Sequence, residues 1–375
     1  MGIGIVGVGQ MGRNYLRILI EDLGIHPEQI VLCDTDPERL MQALLVSGAL
    51  VGAKSTEDLA SKVDAAIVAT NTPSHYSVIR CLAENGVRRI LVEKPITQNA
   101  QELQKIRDLE LKCDGLQIST ALVIGFSPVR KILVDLIKNE NLVLRDATGS
   151  WGENRGYDGE KHPTAGDRVD EFAHMLEFLL GLVRVHGIHH VNVVSQIGYL
   201  RYVNDEAQNR MHDIDSSYPL LPDHSTKALL TAVLKKGGGL KEDGASLDMA
   251  LASSFLEAEQ VRIVRGTLVR IGTDFPAYSF TAYFDEKTEV NGVMQTVDRL
   301  VLTEVRTNEV RQFVEPCDKL GSLTRAFVEW VQGGERNELL ADVEWAGYFV
   351  RLMEEIGESD RRRRGGMPGL IQVTF

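Results

Sequence analysis

The chain has 375 residues, of which 43% are hydrophobic and 25% charged. That balance argues against long-range disorder, and the length predicts two or three domains with a core that needs neither disulfides nor a structural metal. Acidic residues outnumber basic ones 53 to 41, for a formal net charge of -12. This argues against a nucleic-acid or anionic-membrane partner, although backbone dipoles can still hold an anionic ligand.

The first 125 residues alternate short apolar runs with amphipathic stretches. Gly2–Val6 predicts a strand, followed by a glycine cluster and a helix over Met11–Asp22. Ile30–Cys33 is a second strand, and Asp36-Pro37-Glu38 starts a helix with Asp36 as its N-cap and Pro37 at its first position. Ala65–Ala69 is a third strand, with a helix over Ser74–Asn85 stopped by Gly86. Arg89–Val92 is a fourth strand, Asn99–Cys113 a helix and Leu116–Leu122 a fifth strand. Strands this apolar, each followed by a helix, predict a parallel sheet covered on both faces, a doubly wound Rossmann α/β domain over residues 1–125.

The pattern changes after Gly125. A helix is predicted over Phe126–Ile137, a strand over Leu142–Trp151 and an amphipathic helix over Val169–Leu180. Further strands are expected at Val191–Ile197, Leu247–Ser254, Gln260–Val264, Thr267–Gly272, Ser279–Tyr283 and Leu300–Glu304. Few helices separate them, so residues 126–375 predict an α+β domain with a large, mostly antiparallel open sheet for substrate binding and oligomerisation. Asn204–Asp223 reads as a long loop and Gly237-Gly238-Gly239 as a turn. Helices return at Gly321–Gln332 and Ala341–Ile356, and this C-terminal helix can pack back on the first domain. The run Ser359–Gly366, with Arg361 to Arg364, reads as a flexible, solvated charged segment. Cys33, Cys81, Cys113 and Cys317 form no CxxC pair and read as reduced thiols of a cytoplasmic protein. No apolar run reaches the ~18 residues of a membrane span, and no signal peptide is expected.

Four motifs carry chemistry. Gly7-Val8-Gly9-Gln10-Met11-Gly12 follows a strand and opens a helix within a βαβ unit. In that context it predicts a dinucleotide site: Gly7 for the turn, Gly9 for approach of a pyrophosphate, and Gly12 for close helix packing. Asp34, at the end of the second strand, suits the adenosine ribose diol and favours NAD. The small Thr35 leaves room for a phosphate, so NADP is the alternative. Glu93-Lys94-Pro95 lies just beyond the fourth strand, where doubly wound folds bind ligands, and it puts a lysine at that edge. Asp170, His174 and Glu177 fall on one helix face, a spacing that can position and tune an imidazole.

Together these features resemble the glucose–fructose oxidoreductase, inositol dehydrogenase and MocA (Gfo/Idh/MocA) family. The likeness runs from the glycine motif through Asp34-Thr35-Asp36-Pro37-Glu38-Arg39, Thr72-Pro73-Ser74-His75 and Glu93-Lys94-Pro95. It continues through Gly125-Phe126 to the Asp-x-x-x-His helix. Residues 1–180 carry it well; residues 200–300 share only strand-rich character. The resemblance implies that Asn71, Thr72, His75 and Glu93 line the nicotinamide side of the cofactor. It makes Lys94 the catalytic lysine, often before a cis peptide, and puts Asp170 and His174 at the acid–base positions. Two departures stand out. Ser127-Pro128-Val129-Arg130 replaces the usual asparagine and arginine, which leaves Arg130 as a substrate-side candidate, and Glu177 stands where relatives often carry aspartate.

The implied chemistry is reversible oxidation of a secondary alcohol by NAD. His174 is the expected base and Lys94 the donor to developing alkoxide charge, with Asp170 orienting; the roles of Lys94 and His174 can be exchanged. The family implies a small polyhydroxylated substrate: a sugar, a cyclitol or a sugar derivative. Trp151, Glu153, Asn154, Arg155, Tyr157 and Asp158 form a polar-aromatic cluster suited to hydroxyls. Arg155, Lys161, His162 and Arg168 also suit a phosphate or carboxylate. His189, His190, His212 and Asp215 lack a partner set, so no metal is expected. Relatives often assemble as homodimers or homotetramers. The rival readings are an NAD-retaining enzyme that cleaves glycosides through transient redox, a non-catalytic dinucleotide-sensing regulator, and a biliverdin-reductase-like enzyme. The last two have no need of Asp170 and His174.

Overall fold

A computed structural model describes residues 2–46, 50–152, 172–199, 202–205, 210–213, 223–234, 246–254, 261–273, 275–290 and 292–374. The chain divides into two compact units, 1–126 with 318–351 and 127–317 with 352–375.

The first unit is built on β1 (Ile3–Val6), β2 (Ile30–Cys33), β3 (Val51–Gly52), β4 (Ala65–Val68), β5 (Arg89–Val92) and β6 (Gln117–Thr120). These six strands are parallel in the order β6-β5-β4-β1-β2-β3, and β17 (Ala341–Asp342) joins β6 antiparallel. Every residue of β1, β2 and β4 is buried, as expected of strands covered on both faces. Helices α1 (Gln10–Arg17), α2 (Pro37–Leu44), α3 (Thr56–Ala60), α4 (Thr72–Glu84) and α5 (Ala100–Lys112) alternate with them. Asp36 caps α2 as expected, accepting from the amides of Glu38 and Arg39, with Pro37 at the first position. Helix α8 (Lys319–Val331) comes from far along the chain, yet Leu323, Phe327, Trp330 and Val331 share one core with Ile3, Ile5 and Leu16. The order reverses between β1 and β4, so the carboxyl ends of these neighbours mark the crevice where doubly wound sheets bind ligands.

The second unit holds a nine-stranded sheet: β16 (Val310–Pro316), β15 (Val293–Glu304), β14 (Pro276–Val290), β13 (Val261–Arg270), β7 (Leu142–Gly152), β12 (Ser246–Ser254), β11 (Asp223–Leu234), β8 (Ile188–Tyr199) and β18 (Ile371–Thr374). All pairs are antiparallel except β12 with β7. Helices α6 (Pro128–Glu140) and α7 (Ala173–Val183) belong to this unit.

Several expectations need correcting. The two strands read at Gln260–Val264 and Thr267–Gly272 are one, because Gly266 pairs with Ala147 and Phe280 without a break. The expected amphipathic helix at Val169–Leu180 is, in its described part, buried on all sides from Met175 to Val183. Part of the expected loop Asn204–Asp223 is strand: β9 (Tyr202–Asp205) pairs antiparallel with β10 (Arg210–Asp213).

The arginine run is helical and not flexible, although Arg361, Arg363 and Arg364 are exposed as expected. Helix α9 (Val343–Arg364) continues through it, and Ser359 and Asp360 are buried. Strand β18 pairs with β8 only from His190 to Val193. Beyond that point α9 side chains take over the strand's polar groups. Ser359 Oγ and Asp360 Oδ1 accept from the amides of Ser195 and Ile197. Arg363 and Arg364 donate to the carbonyls of the same two residues. An open strand edge must be covered somehow, and here a helix covers it with polar side chains. Among the described residues no helix is long and apolar enough to cross a membrane.

Candidate active site

In the first unit, the expected cofactor residues gather at the carboxyl ends of β1, β2, β4 and β5. Gly7 adopts φ +90°, and a Cβ there would lie 2.7 Å from the Ala69 carbonyl oxygen. A Cβ on Gly12 would overlap the Gly7 carbonyl, so both positions demand glycine. Gly9 has open space where its Cβ would stand. It is the N-cap of α1, whose first turn carries no acidic residue and no side-chain cap. Gln10 is exposed and Met11 half-buried at this mouth.

Asp34 holds the glycine loop in place. Its carboxylate accepts from the Val8 amide at 2.7 Å and the Asp36 amide at 2.8 Å, fastening the glycine loop to the end of β2. A carboxylate has further lone-pair positions for ribose hydroxyls. Thr35 beside it is exposed. At the end of β4 the Thr70 hydroxyl is buried with no hydrogen-bond partner among the described residues. Buried polar groups rarely stay unpaired, so this donor suits a ligand. The open space at Gly9, the uncapped helix and the Thr70 hydroxyl together fit a dinucleotide.

Asn71 opens α4 as its exposed N-cap, and Thr72 is half-buried. His75 is 1% exposed. Its Nδ1 lies 2.9 Å from the Pro95 carbonyl oxygen and its Nε2 3.0 Å from that of Thr70. Both ring nitrogens therefore face main-chain carbonyls, and burial pulls the imidazole below its ordinary pKa. Glu93 is buried and Lys94 half-buried, and the Lys94–Pro95 peptide is cis. Glu93 accepts the Tyr15 hydroxyl at 2.6 Å. Tyr15 was invisible to motif reading; its only signal was an aromatic on the buried stripe of α1, which reads as core.

In the second unit, His174 stacks on Trp151, with ring centroids 5.8 Å apart and planes at 30°. Phe284 tilts against the same indole at 5.1 Å, and the Arg262 guanidinium lies 5.8 Å from its centroid. The Trp151 indole nitrogen is buried with no partner among the described residues. Glu177 is buried on α7. Arg130 packs against the same helix, donating to the Gly181 carbonyl; a Cβ on Gly181 would strike the guanidinium. Asp170, Asn154 and Arg155 lie outside the described residues, as do Glu153, Tyr157, Asp158, Lys161, His162, Arg168, Asp215 and Gly237–Gly239.

Asp285, Asp298 and Cys317 bring ligand-type atoms within 4.8 Å of one another. Their contacts are internal: Arg262 pairs with Asp285 at 2.8 Å, and Asp298 accepts from the Ser127 hydroxyl and the Asp285 amide. This network sits where the β14–β15 register shifts, with Asp285 at φ +54°.

A Rossmann unit with this glycine loop, a carboxylate just past β2 and a lysine just past β5 has the pattern of an NAD-binding oxidoreductase. Residues 1–117 match the model of the Gfo/Idh/MocA oxidoreductases, described as an oxidoreductase family with an NAD-binding Rossmann fold. The chain is 22% identical to inositol 2-dehydrogenase from Corynebacterium glutamicum (strain R), over 95% of its own length and 92% of the relative's. Two solved structures share the fold. UDP-N-acetylglucosamine 3-dehydrogenase from Acidithiobacillus ferrooxidans aligns with TM-score 0.69 at 16% identity, over 95% of this chain and 96% of that one. An NAD-binding oxidoreductase from Klebsiella pneumoniae aligns with TM-score 0.70 at 16% identity, over 100% and 99%. Residues 1–117 thus carry the NAD-binding Rossmann fold of the Gfo/Idh/MocA oxidoreductases, and the rest of the chain is similar in fold and length to dehydrogenases of that kind.

Proposed function

We propose that this enzyme interconverts a secondary alcohol and a ketone on a sugar, a cyclitol or a sugar derivative, with NAD as the preferred cofactor. The observation that carries the substrate class is the Trp151–His174 pair: a buried indole N–H with no partner among the described residues, stacked on an imidazole. A substrate rich in hydroxyls supplies the acceptor such a donor lacks, and leaving it unmet is costly. The names of the relatives agree, since both the inositol and the UDP-N-acetylglucosamine enzyme are dehydrogenases of polyhydroxylated molecules.

When bound, NAD supplies the two-electron acceptor for a hydride from the carbinol carbon. His174 takes the hydroxyl proton as that carbon is oxidised, and Lys94 donates a hydrogen bond to the oxygen as negative charge develops. Asp170 orients the imidazole or the substrate. Glu177, Asn154 and Arg155 complete the substrate-side set together with Trp151. Arg130 has a weaker claim, because its guanidinium is engaged at Gly181. Asp34 holds the ribose diol, Thr35 borders it, and Gly7, Gly9, Gln10, Met11 and Gly12 surround the pyrophosphate. Asn71, Thr72, His75 and Glu93 shape the nicotinamide side. We further propose a cytoplasmic homo-oligomer. The four free cysteines support the first part, and exposed Val293, Met294, Val310 and Val314 on β15 and β16 support the second.

The test is a panel of sugars, inositols and amino sugars with NAD and NADP, read by absorbance of the reduced cofactor. Turnover of at least one polyol with NAD is expected. Inertness toward the whole panel, against activity on a hydroxyl-poor alcohol, would overturn the substrate class.

A further inference from the structure

We infer that Tyr15 and His75 are positioning residues that clamp the Lys94 turn from both sides. The catalytic importance of that turn rests on the function proposed above; the clamp itself rests on geometry inside the first unit.

The turn leaves β5 with the Glu93 amide donating to the Val68 carbonyl at 2.9 Å. Just before the lysine, the Glu93 carboxylate accepts the Tyr15 hydroxyl on one oxygen, and its other oxygen takes the Lys94 amide at 3.2 Å. One buried carboxylate thus ties helix α1 to the backbone of the lysine. Just after the lysine, His75 of α4 reaches the Pro95 carbonyl with Nδ1, while Nε2 faces the Thr70 carbonyl at the end of β4. A neutral ring donates from one nitrogen only, so the imidazole hydrogen-bonds one of these two carbonyls at a time and packs against the other.

Packing alone does not explain the Tyr15 hydroxyl. The ring is fully buried among Ile3, Ile5, Leu16 and Leu19. Phenylalanine would fill that space as well, and the hydroxyl has Glu93 as its acceptor. Burial, with the nearby carboxylate, pushes the phenol well above its ordinary pKa, so it stays a donor. Helices α1 and α4 begin at Gly9 and Asn71, the loops that suit the pyrophosphate and the nicotinamide. The struts that fix the lysine therefore grow from the helices that would receive the cofactor. A dinucleotide seated on those loops would find Lys94 already presented, and loosening either strut should let the ammonium wander.

The experiment is a mutant cycle of Tyr15→Phe, Glu93→Gln and the double variant, with His75→Gln as a second approach from the other side of the turn. The first readout is the rate of acetylation of Lys94 in the full-length apo-protein at one fixed pH, measured by mass spectrometry against exposed Lys131 as internal reference. The second is kcat and KM with NAD and whichever alcohol the panel yields. We expect the Lys94 labelling rate to change about threefold to tenfold in Tyr15→Phe. We expect kcat to fall about tenfold with little change in KM for NAD, and the double variant to be no worse than Glu93→Gln alone. His75→Gln should move Lys94 labelling as well, which keeps the test alive if Tyr15→Phe does not fold. Additive losses in the cycle overturn the inference. So does unchanged Lys94 labelling beside a lowered melting temperature, the mark of simple core packing. If Lys94→Ala keeps full turnover while the labelling shifts appear, the clamp stands and the catalytic role falls; the reverse pattern sinks the clamp alone.

Discussion

The parallel sheet of the first unit and the antiparallel sheet of the second solve the same burial problem by different means. In the first, β1, β2 and β4 are four residues each and wholly buried, and the polar residues that matter sit just past their carboxyl ends. Hydrophobic burial does the holding, and the polar side chains of the proposed site stand at the rim. In the second, strands of up to 15 residues alternate between faces, and polar side chains take part in the architecture. Asp360 and Ser359 cap the edge of β8, and Asp298 sits fully buried beneath the β14 irregularity. A polar residue at a strand end in the first unit therefore points toward ligand binding, while a buried one in the second requires its partners to be known first.

The sharpest way to break this contrast is to remove the two proposed acid–base groups. Lys94→Ala and His174→Ala should each lower turnover by about 10²- to 10⁴-fold while cofactor titration still shows binding. Wild-type rates in both variants would leave the rim of the first unit without a catalytic role. Next comes Asp34, which serves both the loop and the proposed ribose site. Asp34→Ala should weaken NAD by about 10- to 100-fold, the size expected for losing hydrogen bonds to a charged group. NADP should weaken too, though less, because the Val8 amide loses its acceptor whichever dinucleotide is offered. Equal losses for both would reduce Asp34 to a loop anchor.

Asp360 tests the second unit. It is buried, accepts from the Ile197 amide and pairs with Arg364 at 2.7 Å. Asp360→Ala should cost about 1.5–3 kcal/mol in denaturant unfolding, with early hydrogen exchange along residues 195–199. A neutral result would mean that the second sheet, like the first, is held by apolar burial alone.

The smallest expected effect is pH dependence through His75. Its folded pKa lies below the ordinary 6.5 because burial disfavours the charged ring. The folded chain thus binds fewer protons than the unfolded one below that value. The stability tied to neutral His75 is present above pH 6.5 and is lost as pH falls through the lowered folded value. Melting curves of wild type should decline more steeply from neutral to mildly acidic pH than those of His75→Gln. Parallel curves would remove His75 from the pH response.

Local sequence was informative wherever the physics is local. The glycine loop, the Asp36 cap and the buried four-residue strands of the first unit were all readable, because steric demand, capping and two-sided burial act over a few neighbouring residues. The placement of Asp34 and Lys94 past strand ends followed from the doubly wound pattern, while His75 was singled out only by the family resemblance. What Tyr15 does was not readable, because its partner is 78 residues away and an aromatic on a buried helical stripe looks like any other core residue. The same holds for β11, β16 and β18, whose identity as strands depends on pairing. The run Ser359–Arg364 looked solvated by composition, and only the unpaired edge of β8 turned it into structure. Composition and short-range pattern thus determined the domain class and the glycine loop that opens α1. Tertiary structure alone decided which polar groups hold one another, because a hydrogen bond between distant segments leaves no periodic trace in the chain that makes it.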